Sequence, residues 1–446
     1  MKKMPRQGPF AKIAAIGLLF GILIIPQVFS VLTATSTISS TGTIVNPTTV
    51  IAESGYWQDI QTAVNEANAK GGGTVLIPAG VFNFVNVGES WSGARVIIPA
   101  GVNIIGASNN RDTNGQNTEW RTVLTLPWDV PGSWLGGSGA PPANGGPSVP
   151  ALFRIVGNGD SNKHSRFSNI KLVGYRSIDP NSKYIIQGLA IKEVVDFRVD
   201  HVYFEHITGG GVATSGDKCN GAIDHCYFVN RVAHVQSVGW EECTVGYGVS
   251  VMRDYGDIWE NDITKVLGKY TSYSVYIEDC YFEKWRHVVA ANSGAHYVLR
   301  HCTIKNDFAS ASIDAHGWGF MEDGTITQVG TRAVEIYDCS ITDSIQDAWA
   351  TSIRGGAGVA FNNVVGGGTY GVFIYLRNEA DASVSKCWIN DWYIWNNSML
   401  SGCKEVTEYD PSGTIQENVN YYLHAPTTFE YTPYPYPHPL TLTNNQ

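Results

Sequence analysis

Charged residues are scarce in this chain of 446 residues, and neither sign dominates. Only 16% of the residues are charged, while 43% are hydrophobic, a composition that excludes an intrinsically disordered chain and a coiled coil. The 30 Lys and Arg residues stand against 40 Asp and Glu residues, which gives a formal net charge of −10. An overall electrostatic attraction to nucleic acid or to an anionic membrane surface is therefore not expected.

Several motifs of common enzyme classes are also missing. The sequence has no Walker-type phosphate loop, no Gly-x-Ser-x-Gly turn and no Cys-x-x-Cys pair. Beyond residue 55, strong helical periodicity is confined to Trp57–Lys70, where Ile60, Ala63, Val64 and Ala67 recur on one face. The 48 glycines and 11% aromatic residues instead favour tight turns and β-structure.

The N-terminal segment has the layout of a targeting sequence. Basic residues precede an apolar run over residues 13–25 that continues weakly to Ala34, an order typical of a secretory signal. Ile13–Ala34 also reaches the ~20 residues needed to span a bilayer, so an uncleaved anchor is the alternative. We therefore predict a signal peptide or membrane anchor over residues 1–34, a Ser/Thr-rich linker over 35–54, and an extracellular or cell-surface location for the remainder.

Most of the eight cysteines lie in one repeated context. It has an apolar residue three positions before the cysteine and another two positions after it, at Cys226, Cys243, Cys280, Cys302, Cys339 and Cys387. Ile170, Val202 and Val364 fill the same slot in similar segments. Because valine and isoleucine occupy this position in other repeats, the position favours a small apolar side chain, and we predict a ladder of free thiols in the core. Cys219 and Cys403 fall outside the pattern, and the sequence leaves open whether they are free or paired.

The spacing of this slot indicates a solenoid. Successive slots between residues 170 and 387 lie 17 to 37 residues apart, with a basic period in the low twenties. Each repeat carries short β-branched and aromatic runs that alternate with period two, punctuated by Gly, Asn and Asp. This pattern predicts a parallel β-helix over residues 55–400. Residues 401–446 lack the repeat, and their alternating Pro and Tyr favour an extended tail that packs on the solenoid.

The segment after residue 55 resembles a known protein family. Asp59–Asn68, Gly71–Val81 and Val96–Gly106 are similar to the N-terminal segment and the next rung of pectate-lyase-like β-helix proteins. The resemblance implies an all-β fold, a right-handed parallel β-helix (solenoid) with an N-terminal capping helix. Such a helix covers apolar core and unpaired strand groups at the open end. The superfamily holds lyases, hydrolases, esterases, epimerases and non-catalytic adhesins, so the resemblance does not identify a reaction.

A second strand follows the slot by roughly a dozen residues in each repeat. Four segments align, namely Val289–Asn292, Ile313–His316, Thr351–Arg354 and Ile374–Arg377. Strand alternation leaves two outward columns, one with Ala290, Asp314, Ser352 and Tyr375, the other with Asn292, His316, Arg354 and Arg377.

Stacked cations in the second column suggest an anionic ligand. With rungs ~4.8 Å apart, Arg354 lies beside Arg377 and His316, which is unfavourable unless an anion binds. A uronate or sulfate chain would be such a partner, since Arg binds carboxylates through paired hydrogen bonds. The alternative is that the arginines pair with Asp314, Glu379 or loop carboxylates and have no further role.

Two reactions fit these columns. A lyase needs a base and positive groups that stabilise an enolate-like intermediate, and His316 or Tyr375 with Arg354 and Arg377 supplies both. A hydrolase needs two carboxylates at a set separation, for which Asp314 is one candidate and Glu379 the other.

The basic excess favours an exported polysaccharide lyase that acts on an acidic, uronate-containing chain by β-elimination. The predicted catalytic residues are His316, Arg354, Arg377 and Asp314. The predicted substrate-binding residues are Asn292, Tyr375, Arg286, His287 and Glu379. A non-catalytic, adhesin-type carbohydrate-binding protein and a glycoside hydrolase remain alternatives. No nucleic-acid partner is expected, and a membrane contact is expected only through an uncleaved N-terminal segment.

Metal binding has weaker support in the sequence. An acidic stretch contains Asp254, Asp257, Glu260 and Asp262. These oxygen ligands suit Ca²⁺, which makes it a possible cofactor. Their spacing matches no EF-hand, however, and a solvated acidic loop is the simpler interpretation. We predict no metal among the site residues.

Overall fold

The computed structural model describes most of the chain beyond the N-terminal segment. The described residues are 48–86, 93–126, 150–174, 186–207, 209–230, 246–253, 259–306, 311–320, 326–327, 329–342, 349–366, 371–379 and 386–442. The predicted signal or anchor, most of the predicted linker, Cys243, Asp254 and Asp257 lie outside them. Within the described residues, no helix has the length and apolar character needed to cross a membrane.

Short strands account for most of the regular structure in the described residues. The helices are α1 (Trp57–Ala69), a 3₁₀ helix (Ile263–Lys265) and the single turn α2 (Pro439–Leu442). The strands are β1 (Thr49–Ile51), β2 (Gly73–Ile77), β3 (Gly80–Asn83), β4 (Ala94–Pro99), β5 (Val102–Gly106), β6 (Thr122–Thr125), β7 (Ala151–Val156), β8 (Arg166–Ser168), β9 (Ile170–Val173), β10 (Gln187–Lys192), β11 (Phe197–Asp200), β12 (Tyr203–Glu205), β13 (Gly210–Ser215), β14 (Gly221–Asp224), β15 (Tyr227–Val229), β16 (Tyr247–Met252), β17 (Ser274–Glu278), β18 (Tyr281–Glu283), β19 (His287–Asn292), β20 (His296–Arg300), β21 (Thr303–Lys305), β22 (Ile313–Ala315), β23 (Gly319–Phe320), β24 (Ile326–Thr327), β25 (Ala333–Tyr337), β26 (Ser340–Thr342), β27 (Trp349–Ile353), β28 (Ala357–Phe361), β29 (Val364–Val365), β30 (Val372–Leu376), β31 (Trp392–Trp395), β32 (Ser398–Met399), β33 (Lys404–Glu408) and β34 (Tyr421–Tyr422).

The strands stack into three parallel sheets that the chain visits in turn. Sheet 1 has the order β1-β2-β5-β8-β11-β14-β17-β20-β25-β28-β31-β34, sheet 2 the order β33-β30-β27-β22-β19-β16-β13-β10-β7-β4, and sheet 3 the order β3-β6-β9-β12-β15-β18-β21-β26-β29-β32. Among the described strands, β23 and β24 form a separate antiparallel hairpin. One strand per sheet per coil is the arrangement of a parallel β-helix, and its right-handed sense follows the general handedness of parallel crossovers. The predicted fold class is confirmed.

Equivalent side chains stack on one another inside the coil. Phe204, Phe228 and Phe282 are fully buried and lie with ring centroids 4.8 and 4.7 Å apart, nearly parallel. The stacking follows from the parallel register, because each rung places the same strand position ~4.8 Å above the last. Each buried ring contributes about 1.5–3 kcal/mol through burial alone.

The thiol ladder is confirmed at four positions. Cys226, Cys280, Cys302 and Cys339 are buried free thiols, and each Sγ lies 3.5–3.6 Å from a carbonyl of the preceding rung. These contacts satisfy a weak donor inside an otherwise apolar interior. Cys219 and Cys403, which the sequence left open, are also free thiols.

Three of the predicted slot assignments are wrong. Tyr227 pairs with Tyr281, so Cys226 and Cys280 occupy adjacent rungs and no rung lies between them for Cys243. Ser340 pairs with Val364, so the slot that follows Cys339 holds Asn363, while Val364 is 40% exposed. The buried amide is tolerated because Asn363 accepts from the Cys339 amide at 3.0 Å and donates to a carbonyl at 2.9 Å. Cys387 is a buried free thiol that lies between β30 and β31, outside the ladder.

The coil extends beyond both predicted boundaries. α1 buries the apolar stripe that its sequence predicted and packs against β1, β2 and β4. β1 lies in the stretch predicted as linker and pairs with β2, because its β-branched residues complete the sheet edge. β33 and β34 likewise lie in the predicted tail and pair with β30 and β31.

The remaining tail runs along the outer face of sheet 1. Tyr431 Oη donates to Glu335 at 2.6 Å, and the Arg300 guanidinium donates to the Tyr434 and Pro435 carbonyls at 2.7 and 2.9 Å. These bonds accompany an aromatic and aliphatic layer on the same face. The tail therefore covers this part of sheet 1, whereas the strands of the predicted site lie in sheet 2.

Candidate functional site

The aligned second strands are neighbours in sheet 2, in the predicted register. Ala290 pairs with Asp314, Asp314 with Ser352, and Ser352 with Tyr375. The residues two positions later, in rung order, are Asn292, His316, Arg354 and Arg377. The two predicted outward columns are therefore confirmed as columns of one sheet.

Arg354 is neutralised within the protein. Its Nε and Nη2 atoms lie 3.1 and 2.5 Å from the Asp314 carboxylate, and its Nη1 lies 2.7 Å from Glu379. Burial acts to lower the pKa of Arg354, but the two carboxylates outweigh it and raise the pKa. The argument that this arginine needs an external anion is therefore wrong, because Asp314 comes from the neighbouring rung of the same sheet.

Asp314 is the centre of this charge cluster. It is 1% exposed, and its Oδ2 lies 2.9 Å from His316 Nε2. Burial acts to raise the pKa of Asp314, but Arg354, His316 and His287 hold it well below the usual value of 3.8. An ionised, enclosed and multiply paired carboxylate positions its neighbours and is not available to donate a proton.

A cleft of about 320 Å³ opens beside this cluster on sheet 2. It is lined by Arg286, His287, Ala311, Asp314, Trp349, Ser352, Arg354, Tyr375 and Arg377. Six of the nine predicted site residues are in this lining. Of the other three, His316 and Glu379 contact Arg354, while Asn292 is buried and its Oδ1 has no hydrogen-bond partner among the described residues.

One side of the cleft is an aromatic strip with an exposed arginine. The rings of Trp349 and Tyr375 stack with centroids 4.3 Å apart and planes 14° from parallel. The Arg377 guanidinium lies 5.6 Å from the centroid of the Tyr409 ring. Arg377 is exposed and makes no ion pair within the described part of the chain. Unlike Arg354, it keeps an unneutralised charge that faces solvent.

His287 lies on the opposite side of the cleft. Its ring is 4% exposed, and its Nδ1 lies 2.5 Å from the Ala311 carbonyl, so the Nδ1 proton is donated there. Its Nε2 lies 3.7 Å from Asp314 Oδ2. Burial lowers the pKa of His287 to about 3, although Asp314 acts in the other direction. The imidazole is therefore neutral at neutral pH, with the Nε2 lone pair available.

Sequence reasoning missed three aromatic residues of this site. Trp349 lies five positions before Arg354, as His287 lies five positions before Asn292, and Tyr247 pairs with His287 on the adjacent strand. Tyr247 contacts the His287 ring at 5.3 Å between centroids, and its hydroxyl accepts from Arg286 at 3.4 Å. Extending the alignment five residues upstream would have found this third column. Tyr409 lies in the predicted tail, where no repeat was recognised.

The described part of the acidic stretch has a local structural role. Asp262 accepts from the Thr264 amide at 3.1 Å and caps the 3₁₀ helix, while Lys265 lies 3.7 Å from Asp262 and 4.0 Å from Glu260. Within the described ranges, no group of three or more His, Cys, Asp or Glu residues is arranged to hold a metal ion. The possible role of Ca²⁺ stays a prediction.

Comparison with known proteins finds similar folds at low identity. No family model matches the sequence, and none of the curated proteins matches it. The A-module of the Azotobacter vinelandii mannuronan C-5 epimerase AlgE6 has 11% identity and a TM-score of 0.38, over 84% of this chain and 97% of that chain. The tailspike protein of E. coli bacteriophage HK620, solved with a pentasaccharide, has 14% identity and a TM-score of 0.44, over 79% and 55%.

A Yersinia enterocolitica family 28 exopolygalacturonase has 10% identity and a TM-score of 0.33, over 87% of this chain and 78% of that chain. These structures are pectin-lyase-like right-handed β-helix proteins, as the sequence resemblance predicted. Their similarity to this chain concerns the fold, and the argument for function depends on the cleft itself.

Proposed function

We propose that this protein is exported and binds an acidic polysaccharide in the sheet 2 cleft, where it cleaves the chain by β-elimination. The observation that carries the proposal is the exposed Arg377, which has no ion-pair partner among the described residues and lies beside the stacked rings of Trp349 and Tyr375. A guanidinium recognises a carboxylate or sulfate through paired hydrogen bonds. An aromatic face beside it suits the apolar face of a sugar ring, so the two features together favour an acidic sugar.

The distribution of charge around the cleft favours elimination. Removal of a proton next to a uronate carboxylate builds negative charge on that carboxylate, which fixed positive groups stabilise. Arg286 and Arg377 line the cleft together with a neutral histidine, His287. These are the components that the reaction requires, a base and cations, on facing sides of one cavity.

Hydrolysis is less well supported by the same residues. It requires one protonated carboxyl group that acts as an acid and a second carboxylate across the scissile bond. Asp314 is held ionised by its neighbours, and both Asp314 and Glu379 bind the single guanidinium of Arg354. Two carboxylates engaged with one arginine are poorly placed to flank a sugar linkage.

The test is an assay of the full-length chain against a panel of acidic and neutral polysaccharides, with and without Ca²⁺. Ultraviolet absorbance of a new carbon–carbon double bond and the appearance of reducing ends are followed in parallel. Elimination makes both signals rise together on a uronate polymer. Reducing ends alone would replace elimination with hydrolysis, and binding without either signal would leave a non-catalytic carbohydrate-binding protein.

A matched pair of variants tests the role of the cleft in binding. Arg377→Ala removes the exposed guanidinium from the cleft. Lys192→Ala removes a cation from β10, a strand six rungs from β30 in the same sheet. We expect the first change to weaken binding of the acidic polymer and the second to leave it unchanged. Equal effects would show that overall charge, and not the cleft, attracts the polymer.

A further inference from the structure

We propose that His287 is the catalytic base of this elimination, and that the Ala311 carbonyl fixes its tautomer so that Nε2 receives the proton from the sugar. The inference rests on the proposed function. It assigns to His287 the role of base, for which the sequence analysis predicts His316 or Tyr375. It follows from the different surroundings of the two histidines beside the cleft.

His316 is poorly placed to accept a proton from a ligand. Its Nε2 lies 2.9 Å from Asp314 Oδ2 and its Nδ1 lies 3.9 Å from Glu379. Arg354 Nη2 is within 2.6 Å of one ring nitrogen and 3.0 Å of the other. Both nitrogens therefore face protein groups, whereas a general base needs a lone pair within reach of the substrate.

His287 has the complementary arrangement. Its Nδ1 proton is committed to the Ala311 carbonyl at 2.5 Å, so the ring presents the unprotonated Nε2. The residue lines the cleft, as do Arg286 on its own rung and Arg354 two rungs on. Arg354 is neutralised by Asp314 and Glu379, so Arg286 is the cation on this side that would draw a sugar carboxylate towards Nε2.

The charges around His287 suit a base that becomes an imidazolium. The ionisable groups that face it are Asp314 on β22, Arg354 and His316 beside that strand, Tyr247 on β16 and its own neighbour Arg286. Asp314 Oδ2, 3.7 Å from Nε2, stabilises the ring once it carries the proton. Burial lowers the pKa of the free imidazole to about 3, which keeps it unprotonated before the reaction.

The proposed step balances without any cofactor. Nε2 of His287 takes the proton from the carbon next to the uronate carboxylate, and the electron pair of that bond forms a double bond to the adjacent carbon. The bond from that adjacent carbon to the glycosidic oxygen breaks, and its electron pair leaves with the oxygen, which takes a proton from water. His287 then returns its proton to solvent.

The first test variant removes Nε2 of His287 but keeps a hydrogen-bond donor in place of Nδ1. In His287→Asn the side-chain amide can still donate to the Ala311 carbonyl, but no atom replaces Nε2. We expect kcat on the polymer cleaved by the wild type to fall by about 10²–10⁴-fold, with the Kd for that polymer changed less than threefold. His316→Asn tests the rival base, and the control is His164→Asn, at a histidine outside sheet 2 whose Nδ1 contacts the Val195 carbonyl, which should leave kcat unchanged.

The outcomes distinguish this inference from the proposed function. If His287→Asn keeps kcat while His316→Asn loses it, His316 is the base and the inference is overturned, while elimination stands. If the wild type forms no double bond on any polymer, elimination fails and the inference fails with it.

An NMR measurement tests the base where a variant does not fold. Nitrogen chemical shifts of His287 in the wild-type chain should report a neutral ring with its proton on Nδ1 at pH 5. A protonated ring at that pH, or a proton on Nε2, would overturn the inference.

Discussion

Sheet 1 and sheet 2 both carry stacked charged side chains on their outer faces, but the two sheets differ in how these side chains are paired and covered. On sheet 1, the guanidinium of Arg198 forms two bonds of 2.9 Å with Asp224, and Arg300 lies 2.8 and 2.6 Å from a Glu278 oxygen. The tail then covers Arg300 with two carbonyls. On sheet 2, Arg354 is paired in the same way, while Arg377 is not, and a cleft remains open.

The difference shows how to interpret stacked charges on a solenoid. On sheet 1 these arginines find a carboxylate on a neighbouring rung, Arg198 with Asp224 and Arg300 with Glu278, and burial follows. Burial without a partner would be costly for any of them. Arg377 remains exposed beside aromatic rings and forms no ion pair within the described residues, and the proposed function assigns it to ligand binding.

The largest expected effect is on the stability of sheet 1. Arg300→Met leaves the Glu278 carboxylate and two tail carbonyls without their donor, and removal of one partner of a buried pair costs about 3–5 kcal/mol. Arg377→Met should change the free energy of unfolding by less than about 0.5 kcal/mol. Urea unfolding of the two variants measures both values. Similar losses of unfolding free energy in the two variants would contradict the difference between a paired arginine on sheet 1 and an exposed one on sheet 2.

The pH dependence of stability should involve one histidine from each face. Burial lowers the pKa of His287 on sheet 2 and of His438 in the tail over sheet 1 to about 3. Both rings are protonated in the unfolded chain below about pH 6.5 but not in the folded protein. Stability should therefore fall as pH decreases from about 6.5 to 3, by a few kcal/mol in total.

Two variants assign this pH dependence. His438→Gln and His287→Gln should each flatten the unfolding free energy between pH 6.5 and 4, as measured in urea at fixed salt. If both variants keep the wild-type slope, the folded rings titrate near their ordinary pKa. If only His438→Gln alters the slope of unfolding free energy against pH, then burial lowers the pKa of His438 but not that of His287.

A smaller effect is expected on ligand affinity at the open face. Arg377→Ala should weaken binding of an acidic polymer about tenfold, which corresponds to about 1.4 kcal/mol. Arg377→Lys should recover only part of this loss, because an ammonium cannot form the paired bonds of a guanidinium. Calorimetric titration at two salt concentrations measures both. Full recovery by lysine would mean that charge alone matters at this position.

The last comparison concerns the interior that the two faces share, where Cys280→Val should have the smaller effect. Cys280→Val preserves the volume and apolar character of the slot, since valine fills it at Val202, so the unfolding free energy should change by less than about 1.5 kcal/mol. Asn363→Val should cost more, about 1–3 kcal/mol, because it leaves the Cys339 amide without an acceptor. Equal losses of unfolding free energy in the two variants would show that the hydrogen bonds of Asn363 contribute nothing to stability.

The fold was largely predictable because the solenoid repeats its local chemistry. The slot residues Val202, Cys226, Cys280, Cys302 and Cys339 were aligned correctly from sequence alone, as was the outward column from Asp314 to Tyr375. The alignment failed at Asn363, where a hydrogen-bonded amide side chain occupies the slot that holds an apolar residue in other rungs. It also failed at Cys387, whose context matches the slot although the chain there lies between two strands.

The candidate site was predictable in composition but not in role. The sequence identified His316 and Arg354 by type and column and named Asp314 and Glu379 as alternative partners of the arginine, yet the spacing did not decide between those carboxylates and an external anion. It also placed His287 in the site as a binding residue, since the contact that orients its ring comes from Ala311, one coil later.

The sequence by itself determined the repeat, the parallel β-helix and the order of residues in each column, because period-two alternation and in-register stacking are local rules applied rung after rung. The tertiary structure decided which arginine is paired and which is exposed, which histidine is enclosed and in which tautomer, and which face the tail covers. Those outcomes depend on partners tens of residues apart, such as Arg354 with Asp314 and Arg300 with the Tyr434 carbonyl, and on burial, which exists only once the coil is complete.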